Sequence, residues 1–304
     1  MLLLTTLALL SASPGAADTD TIVSVSRGTR LRVETMAGDI VVRAWDRDQV
    51  RIQATHSRRT SVEVRQSGSV LSLEATTGFG PGGAVDYELT VPAWMALKLG
   101  GMSADITIEG VRAPIEAEVM EGDITVTGGA ETVKLGALNG KIRVSGVRGR
   151  LEVSGASDDI IVTDLQGDLF AEAISGDLLL RDIRARSVRA ASVSGDIWFE
   201  GRIEDGGNYS LATHSGDIMM AVAEGTNSTI AARVYSGDTR ASFALPAAEQ
   251  SSRRQQRYRL GNGSAVVDLE TFSGDVRLLR PTELTPRIDG MLRDRKDQDR
   301  DRER

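Results

Sequence analysis

A short phrase, Gly-Asp or a near variant followed by alternating apolar residues, returns about every 18 residues and constrains the fold of this chain more than any other feature. With the Asp taken as position zero, copies between positions 105 and 177 lie 18 residues apart, and the later steps are 19, 21, 21 and 37. A period of this length predicts stacked units, each too small to bury its own apolar face. The zero position falls at Asp39, Asp105, Asp123, Lys141, Asp159, Asp177, Asp196, Asp217, Asp238 and Asp275.

Apolar residues hold fixed places in each unit, at −8, −6 and −3 before the zero position and at +1 and +3 after it. Around position 123 they are Ile115, Ala117, Met120, Ile124 and Val126. Alternation with period two is typical of a strand with one buried face, so we expect all these columns to face inward. The predicted fold is all-β, a single-chain β-solenoid (β-helix-like) with coils of about 18 residues and two short parallel strands per coil. Nine coils between positions 97 and 278 would form a rod of roughly 40 Å.

The Gly-Asp pair is predicted to form the corner between the two strands. Gly at −1 permits a positive φ, and the Asp side chain can accept hydrogen bonds from nearby backbone N–H groups. We therefore interpret all the aspartates of the series, Asp39 to Asp275, as structural turn residues. A stacked carboxylate column could instead bind Ca²⁺, which makes a calcium-stabilised solenoid one alternative. The second half of each coil lacks the Gly-Gly-x-Gly-x-Asp signature of calcium-binding solenoids, and no metal site is predicted.

Changes in composition divide the chain into four segments. Residues 1–17 join an apolar run to small residues and predict a signal peptide cleaved near Ala17, so that the mature chain is exported to the periplasm or cell surface. Residues 18–96 predict an N-terminal β cap, rich in hairpins, that includes the first repeat. Residues 97–280 are predicted to form the solenoid repeats. Residues 281–304, rich in Asp and Arg, predict a charged disordered tail.

Few residues suggest catalysis. Lys141, Asp158 and Asp159 lie close together in sequence, and carbohydrate-active β-helix enzymes use carboxylates and a base on their sheets, so a lyase or hydrolase is the alternative function. A short coil leaves little room for a side groove, which favours a protein without enzymatic activity. His56 and His214 are the two histidines, and His214 is expected in the core or at a corner because it occupies the −3 column. No cofactor is predicted.

One outward column of the predicted solenoid is apolar in four successive coils. At +2 the chain carries Ile161, Leu179, Trp198 and Met219, and an exposed apolar patch usually marks a contact surface. We interpret this back stripe (Ile161, Leu179, Trp198 and Met219) as a docking or dimerisation surface. Coverage by a loop or tail of the chain itself is the alternative. No transmembrane segment is expected in the mature chain, and a net charge of −7 without a basic stripe argues against a nucleic-acid partner.

The recurrent Ser-Gly-Asp-Ile/Leu sequences resemble those of a known family. Ser175-Gly176-Asp177-Leu178 and Ser194-Gly195-Asp196-Ile197, with the earlier segment at 85–92, are similar to the bacterial toast-rack proteins, which are β-strand-repeat envelope proteins regarded as adhesins. The resemblance covers nearly the whole mature chain. It implies a bacterial, exported β-solenoid with a binding or scaffolding role, and it supplies no catalytic residues. We therefore expect a non-catalytic envelope adhesin or scaffold that contacts an envelope protein or polysaccharide, or that self-associates through the back stripe.

Overall fold

The computed structural model describes residues 16–77, 80–81, 83–252 and 254–302. Most of the predicted signal peptide therefore lies outside the described residues. The all-β prediction is confirmed. The elements are β1 (Ala16–Ser24), β2 (Arg30–Ala37), β3 (Ile40–Trp45), β4 (Gln49–Ser57), β5 (Thr60–Ser67), β6 (Val70–Thr77), β7 (Gly80–Pro81), β8 (Val85–Pro92), β9 (Ala96–Ser103), β10 (Ile106–Glu109), β11 (Ile115–Glu121), β12 (Ile124–Thr127), β13 (Ala130–Asn139), β14 (Ile142–Ser145), β15 (Arg148–Gly155), β16 (Ile160–Gln166), β17 (Leu169–Ser175), β18 (Leu178–Ser194), β19 (Ile197–Ser215), β20 (Ile218–Ala221), β21 (Ser228–Ser236), β22 (Thr239–Ala241), β23 (Gln250–Ser251), β24 (Gln255–Leu260), β25 (Ala265–Ser273), β26 (Val276–Leu279) and α1 (Pro281–Arg302).

Two stacks of parallel, in-register strands enclose one core. The front sheet, formed by the strands that precede each Gly-Asp corner, has the order β6, β2, β9, β11, β13, β15, β17, β18, β19, β25, β21. The back sheet, formed by the strands that follow each corner, has the order β8, β3, β10, β12, β14, β16, β18, β19, β20, β26, β22. The long strands β18 and β19 pass through a corner and contribute to both sheets.

Both ends of the stack depart from sequence order. The coil of β6 and β8 lies outside that of β2 and β3, and the antiparallel strands β1, β4 and β5 pair next to it. At the other end, the coil of β25 and β26 is inserted between the coil of Asp217 and the coil of Asp238, and β24 pairs antiparallel to β21. The 37-residue step from Asp238 to Asp275 arises because the chain passes outside the last coil, where it forms β24, and then returns to form β25 and β26 inside that coil. Antiparallel strands at each end cover sheet edges that would otherwise expose unpaired backbone groups.

The core consists of the columns that alternate along each strand. In one coil Ile115 and Ala117 of the front sheet and Ile124 and Val126 of the back sheet are buried, as predicted. The prediction that the −3 column also faces inward is wrong. Strand alternation continues through −4, where Val119 is buried, and this turns the −3 side chains towards solvent.

The predicted disordered tail over 281–304 differs from the structure. Residues Pro281–Arg302 form α1, and Leu284 and Ile288 of this helix are fully buried against the back sheet. The charge-rich composition suggested a segment with too little apolar surface to fold. The apolar residues are spaced by four along the segment, which is enough to place them on one helical face.

Candidate contact surfaces

The aspartates at the corners form a hydrogen-bonded ladder between coils. Asp123 Oδ1 accepts the backbone N–H of Lys141 at 2.8 Å, and Asp177 Oδ1 accepts that of Asp196 at 3.0 Å. The same contact links Asp86 to Asp39 at the start of the stack, and Asp275 to Asp238 at its end. Each carboxylate therefore bonds the corner of the following coil. The sequence had suggested a bond to neighbouring backbone groups within the turn.

Glycine at −1 is required by a close approach as well as by its dihedral angle. Gly140 has a φ of 143°, and a Cβ at this position would lie 1.9 Å from the carbonyl oxygen of Gly122 in the preceding coil. At Gly216 the corresponding distance to Gly195 O is 2.2 Å. Real Cβ atoms do not come so close to backbone oxygens, so these two corners accept only glycine without displacement of the stack, whereas Ala104 and Asp158 occupy −1 in the coils of Asp105 and Asp159.

The residues that the sequence suggested for catalysis or for calcium binding form hydrogen bonds at the corners. Asp159 Oδ1 accepts the N–H of Asp177 at 2.8 Å, and Asp158 Oδ2 accepts that of Gly140 at 3.1 Å. Lys141 is nearly buried, and its own N–H is the donor to Asp123. Within the described ranges, no group of three or more His, Asp or Glu side chains is placed to hold a metal ion.

The stacked carboxylates differ in ionisation according to their surroundings. Burial raises the pKa of the Asp196 carboxyl, and the carboxylates of Asp177 and Asp217 raise it further. The pKa of Asp275 is lowered, chiefly by the backbone N–H of Asp238 and then by the guanidinium groups nearby, including that of Arg277. As pH rises, the contribution of Asp196 to the stability of the folded protein should therefore fall, whereas that of Asp275 should rise.

We expect Asp196→Asn to raise the free energy of unfolding at pH 7 by up to roughly 1 kcal/mol, because Asn keeps the Oδ1 acceptor and removes a partly buried charge. The raised pKa means that the native state prefers the protonated carboxyl, whose stabilising contribution is lost as pH rises through the folded pKa. The advantage of Asn should thus disappear below about pH 3.9, the usual value for Asp. Urea unfolding of both proteins between pH 3 and pH 7 measures it.

Asp275→Asn is the matched comparison. Its lowered pKa means that the charged form stabilises the native state above the usual Asp value and that this contribution is lost as pH falls through the folded pKa. The substitution should cost roughly 1 kcal/mol at pH 7, since Arg240 and Arg277 lose a partner at 2.8 and 3.2 Å. Effects of the same sign for the two variants at pH 7 would contradict this account.

The back stripe is covered by the chain itself. Leu179 and Met219 are each 1% exposed, Ile161 is buried, and Trp198 is partly buried. The prediction that these four residues form an exposed docking stripe is therefore wrong, because they are not exposed. The structure has the alternative arrangement, in which the tail of the chain covers the stripe. Leu284, Ile288 and Leu292 of α1 pack over the end of the stripe around Met219 and Trp198.

Polar contacts fix α1 in place. Arg181 forms an ion pair with Asp289 in the middle of the helix. At its start, Glu283 accepts the N–H of Arg280 at 3.1 Å, and the Arg280 guanidinium donates to Val222 O at 2.9 Å and lies 3.9 Å from the ring centroid of Phe243. The helix thus adds a third layer to the back sheet. Among the described residues, no helix is both long enough and apolar enough to cross a membrane.

The exposed apolar surface lies on the front sheet, in the −3 column that the sequence had assigned to the core. Its large apolar members are 44–58% exposed, and in-register pairing places them on successive strands. We call this column the apolar row. In spatial order it consists of Met36, Met102, Met120, Leu138, Ala156, Ile174, Val193, His214, Phe272 and Tyr235.

The two halves of the apolar row differ in chemistry. The first half carries three methionines, whereas the second ends in a ring stack, with His214 4.8 Å from Phe272 and Phe272 5.6 Å from Tyr235 between ring centroids. The guanidinium of Arg254 lies 5.6 Å from the centre of the Tyr235 ring. His214 is therefore an exposed surface residue, and the prediction of a core or corner position is wrong.

A groove crosses the row at Ala156, which has the smallest side chain in the row. The groove has a volume of about 650 Å³ and is lined by Leu138, Ala156, Ile174 and Val193, above a floor of small residues that includes Gly136. The absence of bulk at positions 136 and 156 leaves a notch between larger neighbours. Strict alternation along the strand was the sequence signal for this surface, since it assigns −4 to the core and −3 to solvent.

Comparisons with known proteins gave a family match and several similar solved structures. A sequence model of the Toastrack DUF4097 family matches residues 29–279. A search of curated proteins found no match. Among solved structures, a candidate adhesin from Bacteroides fragilis is 13% identical, with 88% of this chain and 98% of that chain covered and a TM-score of 0.40. A candidate lipid-binding protein from Parabacteroides distasonis is 11% identical, with 86% and 96% covered and a TM-score of 0.46.

Proposed function

This chain belongs to the Toastrack DUF4097 family, and from that premise we propose that it is a non-catalytic, exported cell-envelope protein, an adhesin or scaffold, which presents the apolar row for contacts with protein or polysaccharide. The observation that carries the proposal is the exposure of eight large apolar side chains in one column of the front sheet. Contiguous exposed apolar surface on a soluble fold usually marks an interaction site.

The row lies on a rigid support, which suits a docking role. Most of its residues are on strands that are paired on both sides by parallel neighbours, and Tyr235 is on the last strand of the sheet, which pairs with parallel β25 and antiparallel β24. Binding would therefore order little of the protein backbone, which keeps the entropic cost of association small. The flat, regular face can contact an extended partner along many coils.

Export is supported by the N-terminal sequence. Residues 1–17 have the apolar run and the small-residue segment of a signal peptide, and removal near Ala17 would leave a chain that begins just inside β1. The chain has no cysteine, so its stability in an oxidising envelope depends on stacking and on the corner ladder.

Binding of the purified mature chain to isolated envelopes of the producing organism tests the proposed function. We expect Leu138→Ser/Val193→Ser to weaken binding by about tenfold or more, because two half-buried aliphatic contacts would be lost. Ile22→Ser is the matched control, since Ile22 is 55% exposed but lies on β1, away from the row. Envelope binding that is unchanged in the folded double variant would contradict the proposal.

A further inference from the structure

We propose that the partner of the apolar row is a second copy of this chain, paired antiparallel about a two-fold axis that lies between the rungs of Ala156 and Ile174. This inference rests on the proposed function, because it names the partner of the same surface. With ten rungs in the row, such an axis places each rung opposite the rung equally distant from the other end. Three independent properties make the row complementary to the same row of a second copy that runs in the opposite direction.

Size complementarity is the first property. The axis places Ile174, the most exposed of the large apolar residues in the row at 58%, over Ala156 of the other copy. Ala156 lies in the groove of about 650 Å³ between Leu138 and Ile174, so the partner's Ile174 has a notch to fill, and the relation is reciprocal. The next rung pairs Leu138 with Val193. A parallel pairing would instead set Ile174 on Ile174 and leave a void between two Ala156 residues.

Sulfur and aromatic groups provide the second property. Antiparallel pairing sets the methionine half of one copy on the aromatic half of the other, with every methionine opposite a ring. Thioether–aromatic contacts are favourable, and flexible methionine side chains adapt to the ring surface. The pairs are Met36 with Tyr235, Met102 with Phe272, and Met120 with His214.

Charge is the third property. The −5 column runs beside the row on the same face and contains four glutamates and one arginine. Reversal places each glutamate opposite a basic or small residue, so that no two carboxylates lie on directly opposing rungs. The pairs are Glu34 with Arg233, Glu118 with Ala212, Glu172 with Ser154, and Glu270 with Gly100.

The contact is large enough for a stable dimer. Ten rungs at about 4.8 Å give a row of roughly 43 Å. With the flanking columns it covers roughly 600 Å² per copy, or roughly 1,200 Å² in total, which reaches the lower range of specific interfaces. Because the centre of the contact is apolar and the −5 charges lie at its side, the arrangement resembles the apolar core and polar rim of protein interfaces.

Sedimentation velocity of the mature chain at 1–100 µM tests the pairing. We expect a dimer with a dissociation constant in the micromolar range or tighter, and a weakening of about a hundredfold or more in Ile174→Asp, because each dimer would bury two unpaired carboxylates. Circular dichroism shows whether the variant is folded, and Ile22→Asp, an equally exposed change on β1, should leave the dimer intact. A wild-type monomer at 100 µM would overturn the inference, as would a dimer that Ile174→Asp leaves unaffected.

Introduced cysteines determine the orientation, since the natural chain has none. A mixture of Met36→Cys and Tyr235→Cys chains should form a disulfide-linked heterodimer, whereas Met36→Cys alone should not cross-link to itself. Self-cross-linking of Met36→Cys would indicate a parallel pairing and overturn the antiparallel arrangement. A monomer that still binds envelopes through the row would overturn only the second copy as partner and leave the proposed function standing.

Discussion

Gly195→Ala should destabilise the solenoid by about 2–5 kcal/mol, one of the two largest effects expected of a small change in this chain. The φ of Gly195 is 155°, a conformation that L-residues rarely adopt, which costs about 1–2 kcal/mol. The added Cβ would also lie 2.1 Å from the carbonyl oxygen of Gly176, so the backbone of two coils must separate. Overpacking of this kind adds about 1–3 kcal/mol.

Gly206→Ala separates the two causes. Gly206 also has a positive φ, of 71°, but an added Cβ would meet nothing within 4 Å. This variant should lose only about 1 kcal/mol, the cost of the dihedral angle alone. Denaturant unfolding followed by circular dichroism measures both, and an equal loss in the two variants would show that the close approach between corners contributes nothing.

Leu284→Ser/Ile288→Ser should release α1 from the back sheet while the solenoid remains folded. Both side chains are fully buried against the stripe, and removal of a buried aliphatic side chain costs about 2–5 kcal/mol. The helix contains Pro286 and Gly290, the two residue types least favourable in a helix interior, so we expect it not to persist without its packing. We expect loss of the helical signal near 222 nm, a red shift of Trp198 fluorescence, and new binding of a hydrophobic dye to the uncovered Leu179 and Met219.

Arg287→Ser is the control for the helix. Arg287 lies in the same turns of α1 but is exposed, so its loss should leave the helical signal and the dye binding unchanged. If the double variant retains its helical signal, the packing of Leu284 and Ile288 is not what holds α1. If it unfolds the whole chain, α1 is part of the cooperative core, which would contradict its description as an added layer.

The sequence predicted the repeated parts of the fold well because they depend on short-range rules. Alternation identified the inward columns around Ile115 and Ile124, and the Gly-Asp phrase and its variants marked the corner from front strand to back strand in each repeat. The prediction that the −3 column faces inward was wrong because it relied on the apolar character of residues such as Met120 and Leu138. Strand alternation by itself predicts that −3 faces outward. Small residues at −4, such as Ala137, gave the inward column little hydrophobic signal.

Both candidate surfaces differ in exposure from the prediction: the back stripe is buried and the apolar row is exposed. The back stripe looked exposed because nothing near Ile161 or Met219 in sequence covers it, and its cover, α1, begins more than 60 residues after Met219. The charged composition of the last segment hid the spacing of Leu284 and Ile288. Nothing in the local sequence distinguishes an outward column that will be covered from one that will stay open.

The sequence by itself determined the period, the two strands per coil, the glycine corners and the all-β class, because each follows from dihedral preference and alternation within some 20 residues. Only the tertiary structure decided the order of the end coils, with Asp275 placed between Asp217 and Asp238, and which apolar surface remains open. These depend on contacts between segments far apart in the chain. Such contacts are selected by the packing of the whole molecule, so a local pattern does not contain them.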